Sequence, residues 1–273
     1  MSRKKKKSFI IGTIGIILAL LWLSPFYLMI VNSFKTKREI FTDTLKLPEK
    51  FTFDNYIEAF NQLDFLKTLF NSILISVVAV VIIVIFSSMA AYALSRRKSK
   101  ISGLIFLLFV AAMLIPFQSV MIPLVSIFGK MEMLNRIGII IMYLGFGSSL
   151  SIFLYHGTLS GISKSLDEAA TIDGANRFQV FWYIIFPMLK PITVTVAILN
   201  IIWIWNDYLL PSLVINKEGM ETIPLKMFFF FGEYTKQWHL ALAGLTIAII
   251  PVIIVYFFLQ KQIIKGISEG SVK

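Results

Sequence analysis

Residues 166–191 read LDEAATIDGANRFQVFWYIIFPMLKP. The stretch carries three acids, a tandem Ala pair, one Gly and two Pro. It lies between two apolar runs that are each long enough to cross a bilayer. A hydrocarbon core about 30 Å thick needs roughly 20 apolar residues, each rising about 1.5 Å along a helix. Six runs qualify, near 9–31, 68–94, 101–125, 137–157, 191–212 and 239–260.

Composition points to the same class. The chain has 273 residues, 57% of them hydrophobic, with 25 Phe and only 15% charged residues. A soluble domain of this size carries more charge, so a polytopic all-α membrane protein is expected, with residues 1–273 forming one six-helix membrane domain. With no Cys, disulfide, thiolate and Cys-based metal chemistry are excluded. The opening MSRKKKKSFIIGTIGIILALLWLSPFYLMIV has an apolar run too long for a cleaved signal and no clean small-residue cleavage site. It reads as a retained first span.

The net charge of +11 reports orientation rather than nucleic-acid binding. With both termini inside, the inner segments carry +11 and the outer segments +1, led by Arg3–Lys7 and the 96–100 basic cluster. Three connecting segments are large: 32–67 and 213–238 outside, and 158–190 inside.

The inner segment has helix punctuation. Ser165 followed by Glu168 forms a capping-box pattern, and Asp167 and Glu168 suit the positive end of a helix dipole. Leu166, Ala169 and Ala170 share a face on which the small side chains admit close approach. Gly174 suits positive φ at the helix end, and Asn176 suits the cap of a second helix that Pro187 should stop near Ile184. A compact helix with small residues suits insertion into a partner's groove, although an interfacial amphipathic helix is the plain alternative.

These residues resemble the EAA motif of ABC importer permeases. Glu168-Ala169-Ala170, Gly174, Ile184 and Pro187 fall at that pattern's spacing; Phe186 stands where Leu is usual, and Ser163-Lys164-Ser165 departs from the family's preceding Pro-x-Glu. IVNSFKT, YALSRRK, MLIPFQSVMIPL, WIWNDYLLPSLVI and the tail KQIIKGISEGSVK resemble carbohydrate-uptake permeases, including the second permease of maltose-type systems. The resemblance implies a prokaryotic cell-membrane permease with a coupling helix seated in an ATPase subunit. Glu168, Ala169, Ala170, Asp173, Gly174, Arg177 and Pro187 would carry that coupling. It also implies a second permease in a heterodimer, two ATPase subunits, and an extracellular solute-binding protein that delivers a sugar or oligosaccharide. ATP and Mg would sit on the ATPases, because this chain has no phosphate-loop motif and needs no cofactor of its own.

Polar groups inside spans tend to face protein or water. Trp203, Asn206 and Asp207 fall at helical neighbour spacing and suit sugar recognition, with an aromatic ring beside hydroxyl acceptors. An interfacial aromatic belt and a structural Asp207 are the alternatives. Gln118, between Pro116 and Pro123, is a further path candidate, or a partner for carbonyls freed at a kink; Asn71 and Asn200 share that ambiguity. GFGSSLS at 145–151 reads as a packing face, and lone His156 and His239 have no metal-ligand partner at useful spacing. In the 213–238 segment, Phe228–Phe231 is expected to pack, leaving Asn216–Glu221 as the contact for a binding protein. Rival functions are a permease for a non-sugar solute and a self-sufficient channel or secondary carrier. The latter would be expected to show repeats or several buried charges. An intramembrane enzyme would need a cluster of catalytic groups that the sequence does not offer.

Overall fold

In lipid every backbone N–H and C=O must be satisfied within the protein, so a chain this apolar has to be helical. The computed structural model is largely helical and describes residues 3–97, 99–215, 217–232 and 236–271; at 3–10, 255–256, 258–259 and 261–271 it describes the helix but not the side-chain surroundings. The one non-helical pairing among them is a bridge between Phe231 and Lys236.

Three helices are long and apolar enough to cross a membrane: α1 (Arg3–Ser33) through its Ile11–Ser33 part, α4 (Phe65–Arg96) and α7 (Arg136–Leu159). The third expected span is broken into α5 (Lys100–Ala112) and α6 (Phe117–Lys130), which meet at 103°. The fifth is α10 (Lys190–Asn206), joined at 78° to α9 (Arg177–Met188). The sixth run lies on α12 (Trp238–Ser271).

The expected kink in the third span is a bend of 103°, a little more than a right angle, for a local reason. Proline disfavours helix in the residue before it, and Pro116 itself is extended, with φ −67° and ψ 139°. The last carbonyls of α5 are closed by tightened i−3 bonds from Met113, Leu114 and Ile115 to Val110, Ala111 and Ala112, at 3.2, 3.0 and 3.2 Å. Gln118 therefore does not serve as their partner; it is exposed on the first turn of α6.

The chain divides into two compact units. One holds residues 1–65 and 226–254. Within it, the 32–67 segment carries two short helices, α2 (Lys37–Thr42) and α3 (Asp54–Gln62). Lys35 is buried, and its ammonium donates to Asn32 Oδ1 at 3.0 Å and to the Asp43 and Thr44 carbonyls at 2.9 and 3.2 Å. Those three acceptors match its three donors. Asn55 ties the same turn down through the Ser33 and Lys35 carbonyls, both at 2.8 Å. Thr36 and Glu39 complete a capping box on α2. The backbone N–H groups of Thr36 and Glu49 hold the Glu39 carboxyl below its ordinary value.

The other unit holds residues 66–225 and 255–273, with α7 at the centre of its core. α5 and α10 pack on α7, as does α11 (Leu209–Val214), which also touches α6. The small-residue face of α7 makes the tightest crossing. A Cβ on Gly147 would lie 2.6 Å from both Asn200 Oδ1 and Ile83 Cδ1, so α4, α7 and α10 meet there. Asn200 donates to Ser151 Oγ at 3.1 Å and to the Val196 carbonyl at 2.8 Å, which makes it a structural group. Asn71 is structural too, bridging the Gly219 and Glu221 carbonyls at 3.1 and 3.0 Å and accepting from Arg136 at 2.7 Å.

A single methyl separates this crossing from its neighbours. Gly147→Ala should cost about 1–3 kcal/mol through overpacking. Gly145→Ala, with nothing within 4 Å of the added carbon, should leave the fold unchanged. Thermal unfolding of the two variants in the same mild detergent measures the difference.

Candidate functional site

The 158–190 segment folds as two short helices joined by a tight turn. α8 (Ser165–Ile172) carries Asp167 and Glu168 in its first turn. It ends at Gly174, whose φ is +86°. The Ala175 N–H reaches the Ala170 carbonyl at 2.9 Å and the Gly174 N–H reaches Thr171 at 3.1 Å, the paired bonds of a Schellman motif. Asn176 then caps α9, accepting from Phe178 and Gln179 at 3.1 and 2.9 Å, and Gln179 reaches back to its N–H at 2.8 Å.

Three local expectations change. The Ser165–Glu168 box does not form, because Ser165 is already the first helical residue. Ser163 accepts its N–H at 3.2 Å, and Lys164 is drawn onto the Arg96 carbonyl at 2.9 Å, so ties to the end of α4 set where α8 begins. α9 does not stop near Ile184. It continues to Met188 through a widened π-turn at Val180–Ile185, closed by Phe186 N–H on the Phe181 carbonyl. That widening precedes Pro187, whose ring would press on the Tyr183 carbonyl in a regular α-turn. The Leu166–Ala169–Ala170 face is divided: Ala170 is buried, while Leu166 and Ala169 are exposed.

The outward surface of this segment consists of Glu168, Ala169, Thr171, Ile172 and Asp173, with Gly174, Arg177 and Pro187 also exposed. Ile172 stands out at 85% exposure, an apolar side chain that the sequence reading passed over. Behind this surface a cavity of about 1000 Å³ opens between α4, α8 and α9, rimmed by Arg97, Lys164, Glu168 and Arg177 and floored by Met89 and Phe181.

The residue that sequence reasoning missed is Arg96, which it counted only as a topology charge. Its Nη2 lies 2.8 Å from Asp167 Oδ2, and its Nε donates to Oδ1 at 3.3 Å. Its Nη1 donates to the Ile162 carbonyl at 3.0 Å, and Tyr92 donates its O–H to the same Asp167 Oδ1. The signal available was YALSRRK itself, an Arg at a span's end with Tyr92 one turn earlier.

Of the path candidates, Trp203, Asn206 and Asp207 do come together. α10 ends at Asn206, and Asp207 is extended, with ψ 125°. Asp207 Oδ1 accepts from the Leu209 and Leu210 N–H groups at 3.0 and 3.4 Å, starting α11, and Oδ2 accepts from the Tyr143 hydroxyl at 3.0 Å. Trp203 sets its ring edge-on to Tyr143 at 5.4 Å. Trp203 and Asn206 are exposed, while Tyr143 is fully buried. Among the described residues, no hydrogen bond joins Gln118 to this group. His156 stacks on Phe106 at 4.1 Å, and no group of potential metal ligands occurs among the described residues.

The 213–238 segment is more anchored than its sequence suggests. Phe230 is buried and Phe231 packs edge-on to Trp238 at 5.2 Å, but Phe228 and Phe229 are exposed. Of the polar tip, Lys217 and Glu218 are exposed and Glu221 is buried; Asn216 lies outside the described residues, as does Lys98 of the basic cluster.

Residues 83–269, more than half of the chain and including the whole 158–190 segment, match the family described as "Binding-protein-dependent transport system inner membrane component". The chain belongs to this family. It is similar to the "Probable starch degradation products transport system permease protein AmyC" of Thermoanaerobacterium thermosulfurigenes, 56% identical over 100% of both chains. It is also similar to the "Multiple sugar-binding transport system permease protein MsmG" of Streptococcus mutans, 36% identical over 97% of this chain and 96% of that one. Among solved structures it is similar to a chain of a bacterial ABC transporter involved in the import of the acidic polysaccharide alginate. The TM-score is 0.78 at 26% identity, covering 96% of this chain and 98% of the other. The protein is thus an all-α, multi-pass membrane permease with the fold of an ABC importer permease, and a transport component rather than a catalyst.

Gly174 holds a left-handed backbone conformation that residues with a side chain rarely adopt. A β-branched side chain at φ +86° is strained by about 1–2 kcal/mol, so Gly174→Val should release the turn. Hydrogen exchange should show the Ala175 amide losing roughly tenfold in protection, since about 1.4 kcal/mol corresponds to a factor of ten.

Proposed function

We propose that this permease is one membrane subunit of an ATP-driven sugar importer, with both termini and the 158–190 segment inside the cell. The observation that carries the reading is α8: a short helix, closed at its end by Gly174, with Glu168, Ala169, Ile172 and Asp173 facing outward from the chain. Such a face buries nothing of its own and suits a groove on a partner. The partners are a second permease, two ATPase subunits that bind ATP and Mg, and an external solute-binding protein. Sugar passes by alternating access: ATP-driven closure of the motor moves α8, and α8 reorients the spans. The relatives' names support a sugar or oligosaccharide as cargo. Trp203 and Asn206, exposed side by side near the break in α10, are the groups best placed to meet it.

Purification from the native membrane in mild detergent tests the assembly. A stoichiometric ATPase and second permease are expected, and the chain coming out alone would sink the reading. Uptake of labelled glucose, maltose, maltotriose and spermidine by the intact complex in proteoliposomes tests the cargo, with one of the sugars expected to accumulate. Gly174→Val should keep membrane insertion and ATP hydrolysis while lowering uptake at least tenfold; normal uptake by that variant would remove α8 from the mechanism.

A further inference from the structure

We propose that Arg96 and Tyr92 are positioning residues that clasp α8 to the end of α4, so that motion imposed on α8 is delivered to a span that is not its neighbour in the chain. The inference rests on the coupling role proposed for α8 and names the device through which it acts.

Beyond its packing on the Val180–Ile185 turn of α9, α8 has little apolar grip of its own. It is eight residues long, and Ala170 is its only buried side chain. A helix this short is not stable alone, and one methyl gives it little apolar grip. The chain segments on either side connect it to α7 and α9, not to α4. Yet the Arg96 guanidinium is committed at this junction: Nε donates to Asp167 Oδ1 at 3.3 Å, Nη1 donates to the Ile162 carbonyl just before α8 at 3.0 Å, and Nη2 lies in ion-pair contact with Asp167 Oδ2 at 2.8 Å. Bonded at two points, on Asp167 and on the Ile162 carbonyl, the planar guanidinium fixes orientation as well as distance, which a single lysine bond would not. Tyr92, one turn earlier on α4, donates to the same carboxylate, with the Arg96 guanidinium over its ring at 5.7 Å. Lys164 answers from the other side by donating to the Arg96 carbonyl at 2.9 Å. The pair is largely shielded, with side chains 15% and 17% exposed, so salt screens it weakly.

The outward face of α8 is not used by the clasp: Ala169, Ile172 and Asp173 remain free to dock while Asp167 is held. α4 in turn reaches the Gly147–Asn200 crossing through Ile83, so a displacement received at Arg96 arrives where α4, α7 and α10 meet. α8 and α4 therefore move as one body.

The chain has no cysteine of its own, so a spin-label pair can be placed cleanly at Phe86→Cys on α4 and Ser165→Cys on α8. The label-to-label distance is measured by pulsed electron resonance in the purified complex, with partner-chain cysteines replaced, before and after trapping with ATP and vanadate. In the parent pair the distance should be narrow and the same in both states. Adding Asp167→Asn should broaden the resting distribution at least twofold and make it shift on trapping, with ATP hydrolysis continuing. The reversed pair Arg96→Asp with Asp167→Arg should recover the narrow, unshifted distance. Tyr92→Phe keeps the ion pair and should give an intermediate width, which supplies the comparison if Asp167→Asn does not accumulate. A parent distance that shifts on trapping, or an Asp167→Asn or Tyr92→Phe distribution identical to the parent's, overturns the clasp. Absence of a co-purifying ATPase would instead overturn the coupling role of α8, and the resting widths would still judge the clasp.

Discussion

Within the bilayer the backbone of a membrane chain has no water to fall back on, and this constraint governs the places where its spans depart from a straight helix. An unsatisfied N–H or C=O costs several kcal/mol in hydrocarbon. Each break therefore comes with its own closure. Before Pro116 the last turn of α5 tightens to i−3 bonds. After Asn206 the Asp207 carboxylate takes the first two free N–H groups of α11. Ahead of Pro187 the helix widens to a π-turn instead of breaking. At Gly174 the Schellman bonds close α8. Breaks closed in this way are defined bends, and a defined bend can transmit a displacement where a loose loop cannot.

The clasp at Arg96 follows the same logic with charge in place of backbone. Leaving one member of a shielded ion pair without its partner is strongly unfavourable, about 3–5 kcal/mol in comparable buried cases. The pair is therefore a specific connection more than a source of net stability. It defines which span α8 belongs to. The end of α4 is also a favourable place for a cation, next to the negative end of that helix's dipole. Asp167, in the first turn of α8, sits near that helix's positive end. Two helix ends of opposite sign are joined by side chains whose signs complement both.

Much of this was legible in the sequence because local chemistry decides it. Hydropathy runs placed all six apolar segments on helices, Gly174 took its positive φ, Asn176 capped α9, and the 145–151 small-residue run became the tightest crossing. What was not legible depends on distant partners. Ser165 and Glu168 fit a capping box, but Lys164 and Asp167 are claimed by the end of α4, some seventy residues earlier, and the start of α8 shifts accordingly. Pro187 reads as a stop, yet a π-turn carries the helix through it. NSFK reads as a polar run after a span; only the fold shows Lys35 buried among three oxygens of its own turn.

Asp207, half-buried at the end of a span, is engaged on both of its carboxylate oxygens. An ionised carboxylate offers about four lone-pair sites. Here Oδ1 already serves two backbone N–H groups, and Oδ2 serves the Tyr143 hydroxyl. One acceptor site on Oδ2 is left over, and a further hydroxyl arriving there would leave the two backbone N–H bonds that close the break in place. Trp203 and Asn206 carry no such obligation to the break. The indole meets Tyr143 edge-on, and Asn206 uses its amide N–H on the Ile202 carbonyl at 2.7 Å while remaining exposed. The division of labour within the WND sequence follows: the acid shapes the bend, and the bend presents the ring and the amide.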